Sequence, residues 1–478
     1  MQVALEPALF ALKDAGVSPF ADAATRASAE RDFGNVAHGR CLLVAEPNDP
    51  EACARVVAEL GRRGVGCTVR GAGYGQGGQS VANDTVSLST RRLDAIRPVD
   101  AAPAGAPSTP SITVGAGATL RNVLLALGEP QLAPPALPLN LDMTVGGLLS
   151  AGGIGPTSHR HGPVAANVTR LDVVTGAGEL RTCTPTSDAD LFYGALAGLG
   201  QCGVITQATL GLHPAPRAMR SFSFHYADPD AWLLDQLGAS ATDIGFEIEG
   251  FCWAAARGSR SVPGGRQPFT HWMYGLHLAI DRDLAAAAPA RNLLASLRAE
   301  RKLDEHESTF ASYLHRYEPR FAGMVESGAW HEAHPWFEGM VPVERAGEAL
   351  ARVLERLPGE VGDGHRLMLV DGRGMPGLFD PSRSGKLALL GIFPVAFART
   401  ALPKVLRCVD DLTSIFLETN GRRYLSGWIG SDPAAYFCAH FGDDAEGRGA
   451  RDTWLAARRR FDPGSVFRSA LFPRGNAS

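Results

Sequence analysis

Two glycine-dense stretches are the residues in this sequence whose types and spacing best suit chemistry. The first, Gly71-Ala-Gly-Tyr-Gly-Gln-Gly-Gly78, contains Gly73-x-Gly75-x-x-Gly78, and Asp94 lies further on at the distance of a ribose-binding acid. The second runs from Thr144-Val-Gly-Gly147 to Ser150. Where side chains are absent, successive backbone N–H groups can converge on one concavity, which suits a pyrophosphate. One such loop is ordinarily a tight turn. Two in one region, each beside an expected strand, point to a large phosphate-bearing cofactor gripped from two sides.

A doubly wound dinucleotide fold requires the glycine turn to open directly into a helix, whose N-terminus holds the pyrophosphate. Here Gln79 is followed by SVANDTVSLST, an Asn83-Asp84 turn and a β-branched strand. A NAD(P)-dependent dehydrogenase of that type is therefore rejected. The eight cysteines (Cys41, Cys53, Cys67, Cys183, Cys202, Cys252, Cys408 and Cys438) form no C-x-x-C pair, and most sit in apolar runs. They read as buried thiols rather than zinc ligands or a disulfide frame. His159 and His161 are two residues apart with no further ligand nearby, so no metal is expected.

The elements that must position these loops fit an α+β chain. Its 478 residues suggest two or three domains, and a net charge of −4 argues against a nucleic-acid partner. Hydrophobic residues at 45% and charged residues at 20% exclude global disorder. The N-terminal segment lacks the pattern of a signal peptide and no apolar run is long enough to span a membrane. A cytoplasmic protein with no membrane partner is the expectation. CLLVAEP, GCTVRG, TVSLST, SITVGAG and GVITQATLGL read as strands. Asn48 or Asp49 can cap a helix ending at Gly64, TLRNVLLALG is a second helix, and Thr186 can cap a third. LDVVTGAGELRTC reads as a hairpin turning at Gly176-Ala-Gly178. After His213-Pro214 the alternating stretches SFSFHYA, GFEIEGFCW, QPFTHWMYGLHLAI, HRLMLV and LALLGIFPVAF suggest an antiparallel sheet. Helical patterns over 283–303 and 343–357 would cover one of its faces, and the tail returns to helix at DTWLAARRRF. Domain boundaries are expected near 213 and 420.

At this point the residues carry a resemblance. DFGNVAHGR, VRGAGYGQGGQS, TVGGLLSAGGIG, RHGP, LDVVTGAGE, DLF and GLGQCGVIT together look like a flavin-binding domain. They resemble the FAD-linked oxidase superfamily that includes vanillyl-alcohol oxidase and berberine-bridge enzymes, and within it the cytokinin dehydrogenases. FEIEGF, HPWFEGMVP, YLSGWIG and RRRFDPGSVF fit as well, so the resemblance covers most of the chain. It implies a two-part FAD-binding domain of the vanillyl-alcohol oxidase type, residues 1–212 and 420–478. Between the parts it implies an inserted antiparallel-sheet substrate (cap) domain covered by helices, residues 213–419.

Carried over by position, the loop from Val69 to Ser80 would wrap the FAD pyrophosphate, through Gly71, Ala72, Gly73, Tyr74, Gly75 and Gln79. Thr144, Gly146, Gly147, Ser150 and Ile154 fall on further flavin contacts, and Val204 and Ile205 near the adenine half. Trp428 matches an aromatic beside the flavin, and Glu249 a carboxylate lining the substrate pocket; apart from the resemblance, Trp336, in a cluster with Trp330, His331 and His334, reads as core or as a pocket wall. Three positions depart from the family. Tyr74 stands where the family's flavin-linking histidine would be, and Asp142 where the second linking residue, a cysteine, would be. FAD is therefore expected to be held noncovalently, with an 8α-O-tyrosyl bond through Tyr74 as the alternative. Leu139 stands where cytokinin dehydrogenases carry the aspartate that takes the substrate proton.

Oxidising a C–H bond beside N or O needs a hydride acceptor and a group to receive the N–H or O–H proton. The candidates for that proton are Glu249, Asp142, Tyr74 and the histidines of HRHG. Glu249 lies among Phe246, Ile248 and Phe251; turned inward it would be desolvated with a raised pKa, and turned outward it would face solvent. Asp142 is either a shifted base or the cap of its own turn. The implied function is an FAD-dependent oxidoreductase that dehydrogenates a small amine or alcohol by hydride transfer to flavin N5, with O₂ or another acceptor closing the cycle. The substrate would differ from a cytokinin. Rivals are an oxidative cyclisation or desaturation enzyme of specialised metabolism, and a flavin-binding protein without redox turnover.

Overall fold

The computed structural model describes residues 2–101, 109–128, 132–357, 365–372, 385–393, 400–424, 426–428 and 432–473. Residues 394–397 of LALLGIFPVAF, and Leu425, Ile429 and Gly430 of YLSGWIG, lie outside them. Helices and strands are mixed throughout and the strands pair in both senses, so the chain is α+β.

Residues 19–211 build two four-stranded sheets. In the first, β1 (Cys41–Ala45), β2 (Gly66–Arg70) and β3 (Thr85–Ser89) are parallel in the order β1-β3-β2, with Pro19–Phe20 antiparallel outside β1. The crossover from β1 to β2 is the helix Pro50–Arg62. Asp49 caps it, accepting from the Ala52 N–H at 2.6 Å, and Pro50 occupies the first turn, where no N–H is needed. Its buried stripe of Cys53, Val56, Val57 and Leu60 packs on Leu43, Val86 and Leu88. The second sheet joins β4 (Ser111–Gly115), β5 (Val168–Val174), β6 (Leu180–Cys183) and β7 (Val204–Gly211) antiparallel, in the order β4-β7-β5-β6. The β5–β6 hairpin turns at Gly176-Ala-Gly178 as the sequence indicates.

The third sheet has eight antiparallel strands. They are β8 (Ala218–Tyr226), β9 (Glu247–Val262), β10 (Gly265–Asp281), β11 (Arg301–Thr309), β12 (Phe337–Pro342), β13 (His365–Asp371), β14 (Lys386–Ile392) and β15 (Arg422–Arg423). Their order is β11-β8-β10-β9-β13-β14-β12-β15. One face carries Ile248, Leu276, Leu278, Phe337, Leu367, Leu369, Ala388, Leu390 and Ile392. It is packed under the helices Pro229–Ser240, Ala346–Arg356 and Leu402–Glu418 through Trp232, Leu350, Val353, Val409, Leu412 and Phe416. The other face meets the glycine loops. Among the described residues no helix is long and apolar enough to cross a membrane.

Some local expectations are corrected. The helix expected over 283–303 is instead two short helices, Arg282–Ala285 and Ala288–Ser296, followed by β11. Pro289 has no N–H to give a continuous helix and so opens a new one, and the free edge of β8 draws residues 301–309 into the sheet. Thr186 does not cap the third helix: Asp188 takes that position at φ +52° without a side-chain bond. The Thr184 hydroxyl closes the preceding turn, accepting from the Ser187 N–H at 3.0 Å. The helix expected to end at Gly64 ends at Arg62. Cys438 is exposed and Cys408 half-buried; the other six thiols are buried.

The C-terminus is tied to the first sheet by one carboxyl group. The helix Ala445–Phe461 ends at Asp462, whose two oxygens accept from the Val466 and Phe467 N–H groups, each at 2.8 Å. This aligns residues 466–468 beside Cys67 and seats Phe467 in the core. Burial raises the Asp462 carboxyl to about 6, although the two N–H groups pull the other way. Asp462→Ala is expected to cost about 2 kcal/mol of stability in urea unfolding. A folded pKa raised above the unfolded value gives stability that is full below about 3.9 and is lost as pH rises through about 6. The gap between wild type and variant should therefore narrow between pH 5 and pH 8.

Candidate functional site

After β2 the chain enters the first glycine loop, and no helix follows before β3. Buried Asp32 pins this loop: its Oδ2 accepts from the Gly77 N–H at 3.0 Å, while Oδ1 accepts from Val36 and Ala37. The Gln76 side chain ties the loop to the strand β12 approach. Its Nε2 donates to the His334 carbonyl at 3.3 Å and its Oε1 accepts from the Trp336 N–H at 2.7 Å. Gly73 holds φ at +86°, a conformation that favours glycine. The second loop touches the first, because the Thr144 hydroxyl accepts from the Ala72 N–H at 3.3 Å. A Cβ on Gly71 would run into that hydroxyl.

The two loops share one cavity. Val69, Gly71, Ala72, Gly73, Tyr74, Gly75, Gln79 and Ser80 line it from the first, and Thr144, Gly146, Gly147, Ser150 and Ile154 from the second, with Ile205 of β7. Among the described residues, the backbone N–H groups of Gly73, Tyr74 and Gly75 donate to no protein acceptor. A lining of unpaired backbone donors and absent side chains is what a pyrophosphate requires.

The opposite wall is the open face of the eight-stranded sheet, with Arg366, Met368, Leu389 and Glu338, joined by Tyr317, Trp336, Phe393 and Tyr424. Tyr424 links the halves by accepting from the Gly153 N–H at 2.8 Å. Behind this wall lies a buried ion cluster. Glu249 is fully buried and is bonded to Arg316, to Arg366 Nη1 at 2.8 Å and to the Tyr317 hydroxyl at 2.6 Å. Burial alone would raise its pKa, but the Arg316 and Arg366 guanidiniums outweigh it, with His277 and Tyr317 adding less, and hold it near 2.

That geometry corrects the reading of Glu249. It neither faces solvent nor has a raised pKa, and a carboxylate held near 2 accepts protons poorly at neutral pH. Asp142 neither lines the main cavity nor caps its own turn. Arg121 Nε donates to it at 2.7 Å, and it borders an adjoining cavity with Arg121, Leu139 and Glu318. Tyr74 borders both cavities, edge-on to Phe33 with ring centroids 5.3 Å apart; burial raises its phenol, with Asn140 opposing. Trp428 does not line the cavity. It packs in the core behind Trp336, its backbone N–H donating to the Trp336 carbonyl at 2.7 Å, and Trp336 takes the wall position. Val204 points into the core of the first sheet, next to lining Ile205. His159 is held by the Phe246 carbonyl at 2.8 Å, away from the cavity.

Sequence reading missed Asp32, Gln76, Arg316, Arg366, Tyr317, Tyr424 and Glu338. Glu338 lies in HPWFEGMVP, where the alternation Phe337-Glu338-Gly339-Met340 already places it on the face opposite Phe337. It is buried and accepts from the Ser426 hydroxyl. Burial pushes its carboxyl up to about 7, with Arg423 pulling the other way.

Residues 41–184 match a family described as an FAD binding domain. Over 446 residues the chain is 27% identical to an uncharacterized oxidoreductase of the fasciation locus of Rhodococcoides fascians, spanning 91% of this chain and 94% of that protein. It is 30% identical over 351 residues to cytokinin dehydrogenase 6 of Oryza sativa subsp. japonica, spanning 68% and 67% of the two chains. Cytokinin dehydrogenase 7 of the same organism is 31% identical over 350 residues, spanning 68% and 66%. With that cavity and these relatives, the protein is an FAD-linked oxidase or dehydrogenase. It belongs to the FAD-linked oxidase superfamily, and the glycine cradle fits the diphosphate of FAD.

Glu249→Gln would leave Arg366 buried without its counter-charge and Arg316 with only the more distant Glu247, at 3.9 Å. A loss of about 3–5 kcal/mol in denaturant unfolding at pH 7 is expected. Because the folded pKa is depressed, this stabilisation is present above about 4.3 and is lost as pH falls through about 2. Wild type and variant should converge in acid.

Proposed function

We propose that the protein is an FAD-dependent oxidoreductase that dehydrogenates a small organic amine or alcohol, passing the electrons to O₂ or another acceptor. The observation that carries this reading is one cavity with two unlike walls, a backbone-donor cradle opposite a sheet face bearing aromatic and ionisable side chains. Bound FAD supplies a hydride acceptor, flavin N5. The chain's own contribution is to hold the diphosphate on the N–H groups of the first loop. It also screens the reacting carbon from water with Trp336 and Phe393, whose rings meet edge-on at 4.9 Å. On this reading residues 1–212 and 420–478 form the FAD-binding domain and 213–419 the substrate cap.

Leu139 lines the cavity where the resemblance calls for a proton-accepting aspartate, which supports a substrate other than a cytokinin. Tyr74 and Asp142 at the two linking positions support noncovalent FAD. Oxidative cyclisation or desaturation would use the same hydride acceptor, and a substrate that closes a ring or gains a C=C bond on anaerobic oxidation identifies that variant.

The purified protein should be yellow, and acid precipitation should release the flavin to the supernatant. Colour kept in the pellet means a covalent bond and makes Tyr74 the first residue to replace. Gly71→Val should weaken FAD binding by about 100-fold or more, roughly 2.7 kcal/mol, in a titration of the apoprotein followed by flavin fluorescence. A variant that binds FAD as wild type does would exclude the cradle as the cofactor site.

A further inference from the structure

We propose that Glu338 is the residue that takes the substrate's N–H or O–H proton. The proposal rests on the dehydrogenase reading above and names the group that reading lacks. Among the described residues lining the cavity, Glu338 is the only carboxyl group, and no histidine, cysteine or lysine is present there. The other ionisable groups of the wall are guanidiniums and phenols: Arg366 is committed to Glu249 and Tyr317, and Tyr424 accepts from the Gly153 N–H.

The sheet register puts Glu338 in place. Gly391 of β14 pairs with Glu338 on one side and Arg366 on the other, so the two charged side chains flank a glycine on the same face. A Cβ on Gly391 would sit 2.6 Å from the Phe393 ring, which lies over this gap and meets Trp336 edge-on. Glu338 thus stands at the edge of an aromatic slot, with Met340 and Leu389 beyond it on the same face.

The groups facing Glu338 set its proton affinity. From β15 the Arg423 guanidinium donates through Nε to the Glu338 backbone carbonyl at 3.0 Å, and through Nη1 to Thr413 of the covering helix at 2.9 Å. Asp410 of that helix shares the charge of Arg423. The Ser426 hydroxyl donates to Glu338 Oε2, and the Tyr424 N–H donates to the Glu338 carbonyl. Among the described residues no guanidinium is bonded to the carboxylate itself, so burial dominates and lifts it to about 7, the range in which a general base works best at neutral pH. In the step proposed, the C–H bonding pair leaves as hydride for the flavin. A lone pair on the substrate N or O closes the new double bond, and the N–H or O–H proton passes to a Glu338 oxygen.

The test uses the holoenzyme and Glu338→Gln. An infrared pH titration should show a carboxyl C=O band with a midpoint near 7 in wild type that is missing from the variant. Aromatic and allylic amines and alcohols are then mixed anaerobically with the enzyme, and flavin bleaching is followed against pH for the fastest. Wild type should bleach faster as pH rises through about 7. Glu338→Gln should keep its flavin spectrum, lose that limb and bleach about 10²–10⁴-fold more slowly. Ser426→Ala, which removes a donor to the carboxylate, should move the wild-type limb up by about one pH unit. A variant that bleaches within twofold of wild type with its limb intact, or a wild-type band that does not titrate between pH 5.5 and 8.5, removes Glu338 from the reaction. A wild-type flavin that no amine or alcohol reduces overturns the dehydrogenase reading itself, and this inference with it.

Discussion

Side chains along a β-strand alternate between two faces, and in the eight-stranded sheet this period has to serve two opposed environments at once. One face is a solid apolar layer under three helices, from Ile248 and Leu278 to Phe337 and Ile392. The other holds Glu249, Arg366 and Glu338. A one-residue slip in any of these pairings would put a charge under the helices and a leucine in the cavity. The apolar layer is large and the polar set small, so hydrophobic burial fixes the register and the polar groups come to the cavity with it.

Two buried carboxylates on that face then behave in opposite ways. Glu249 is bonded directly to two guanidiniums and a phenol, and the attraction exceeds the cost of burial. Glu338 is also buried, although it borders the cavity, but the guanidinium that acts on it, Arg423, is engaged with backbone carbonyls and Thr413. Burial therefore prevails. Surroundings that push two titratable groups apart suit them to different tasks: Glu249, ionised, holds the wall together, and Glu338 is the one whose affinity suits proton exchange near neutrality.

The cofactor half was legible in the sequence because its determinants are local. Glycines that leave backbone donors free, and a strand rather than a helix after Gly78, are properties of a dozen contiguous residues. The polar wall was less legible because its determinants are distant. The partners of Glu249 are Arg316 and Tyr317 on a later helical turn and Arg366 on another strand, so position in an apolar strand alone gives the wrong sign for its pKa. Alternation does place Glu338 opposite Phe337, yet only the pairing of β12 with β14 and β15 turns that face toward the glycine loops. The break at Pro289 shows the same limit, since the helical pattern of 283–303 gave way to an open strand edge supplied by β8.

The two walls divide the chemistry unequally. The glycine loops give the cavity backbone donors, and the acidic residue beside the second loop, Asp142, is held by Arg121 outside the main cavity. Every charged side chain on the main cavity wall comes instead from the sheet or from the helical segment beside it. A wall of N–H groups accepts any diphosphate of the right size, whereas a slot between Trp336 and Phe393, flanked by Arg366 and Glu338, discriminates by ring shape and by the position of a dissociable proton. On the proposed function, cofactor binding would be a property of the loops and substrate choice a property of the sheet. If Glu338 takes the proton, the base stands on a strand rather than at the loop position of Leu139, on a rigid element and at a different angle to any bound ring. A substrate matched to that base would have its N–H or O–H directed at β12, and a molecule shaped for a base at position 139 would present its proton to a leucine.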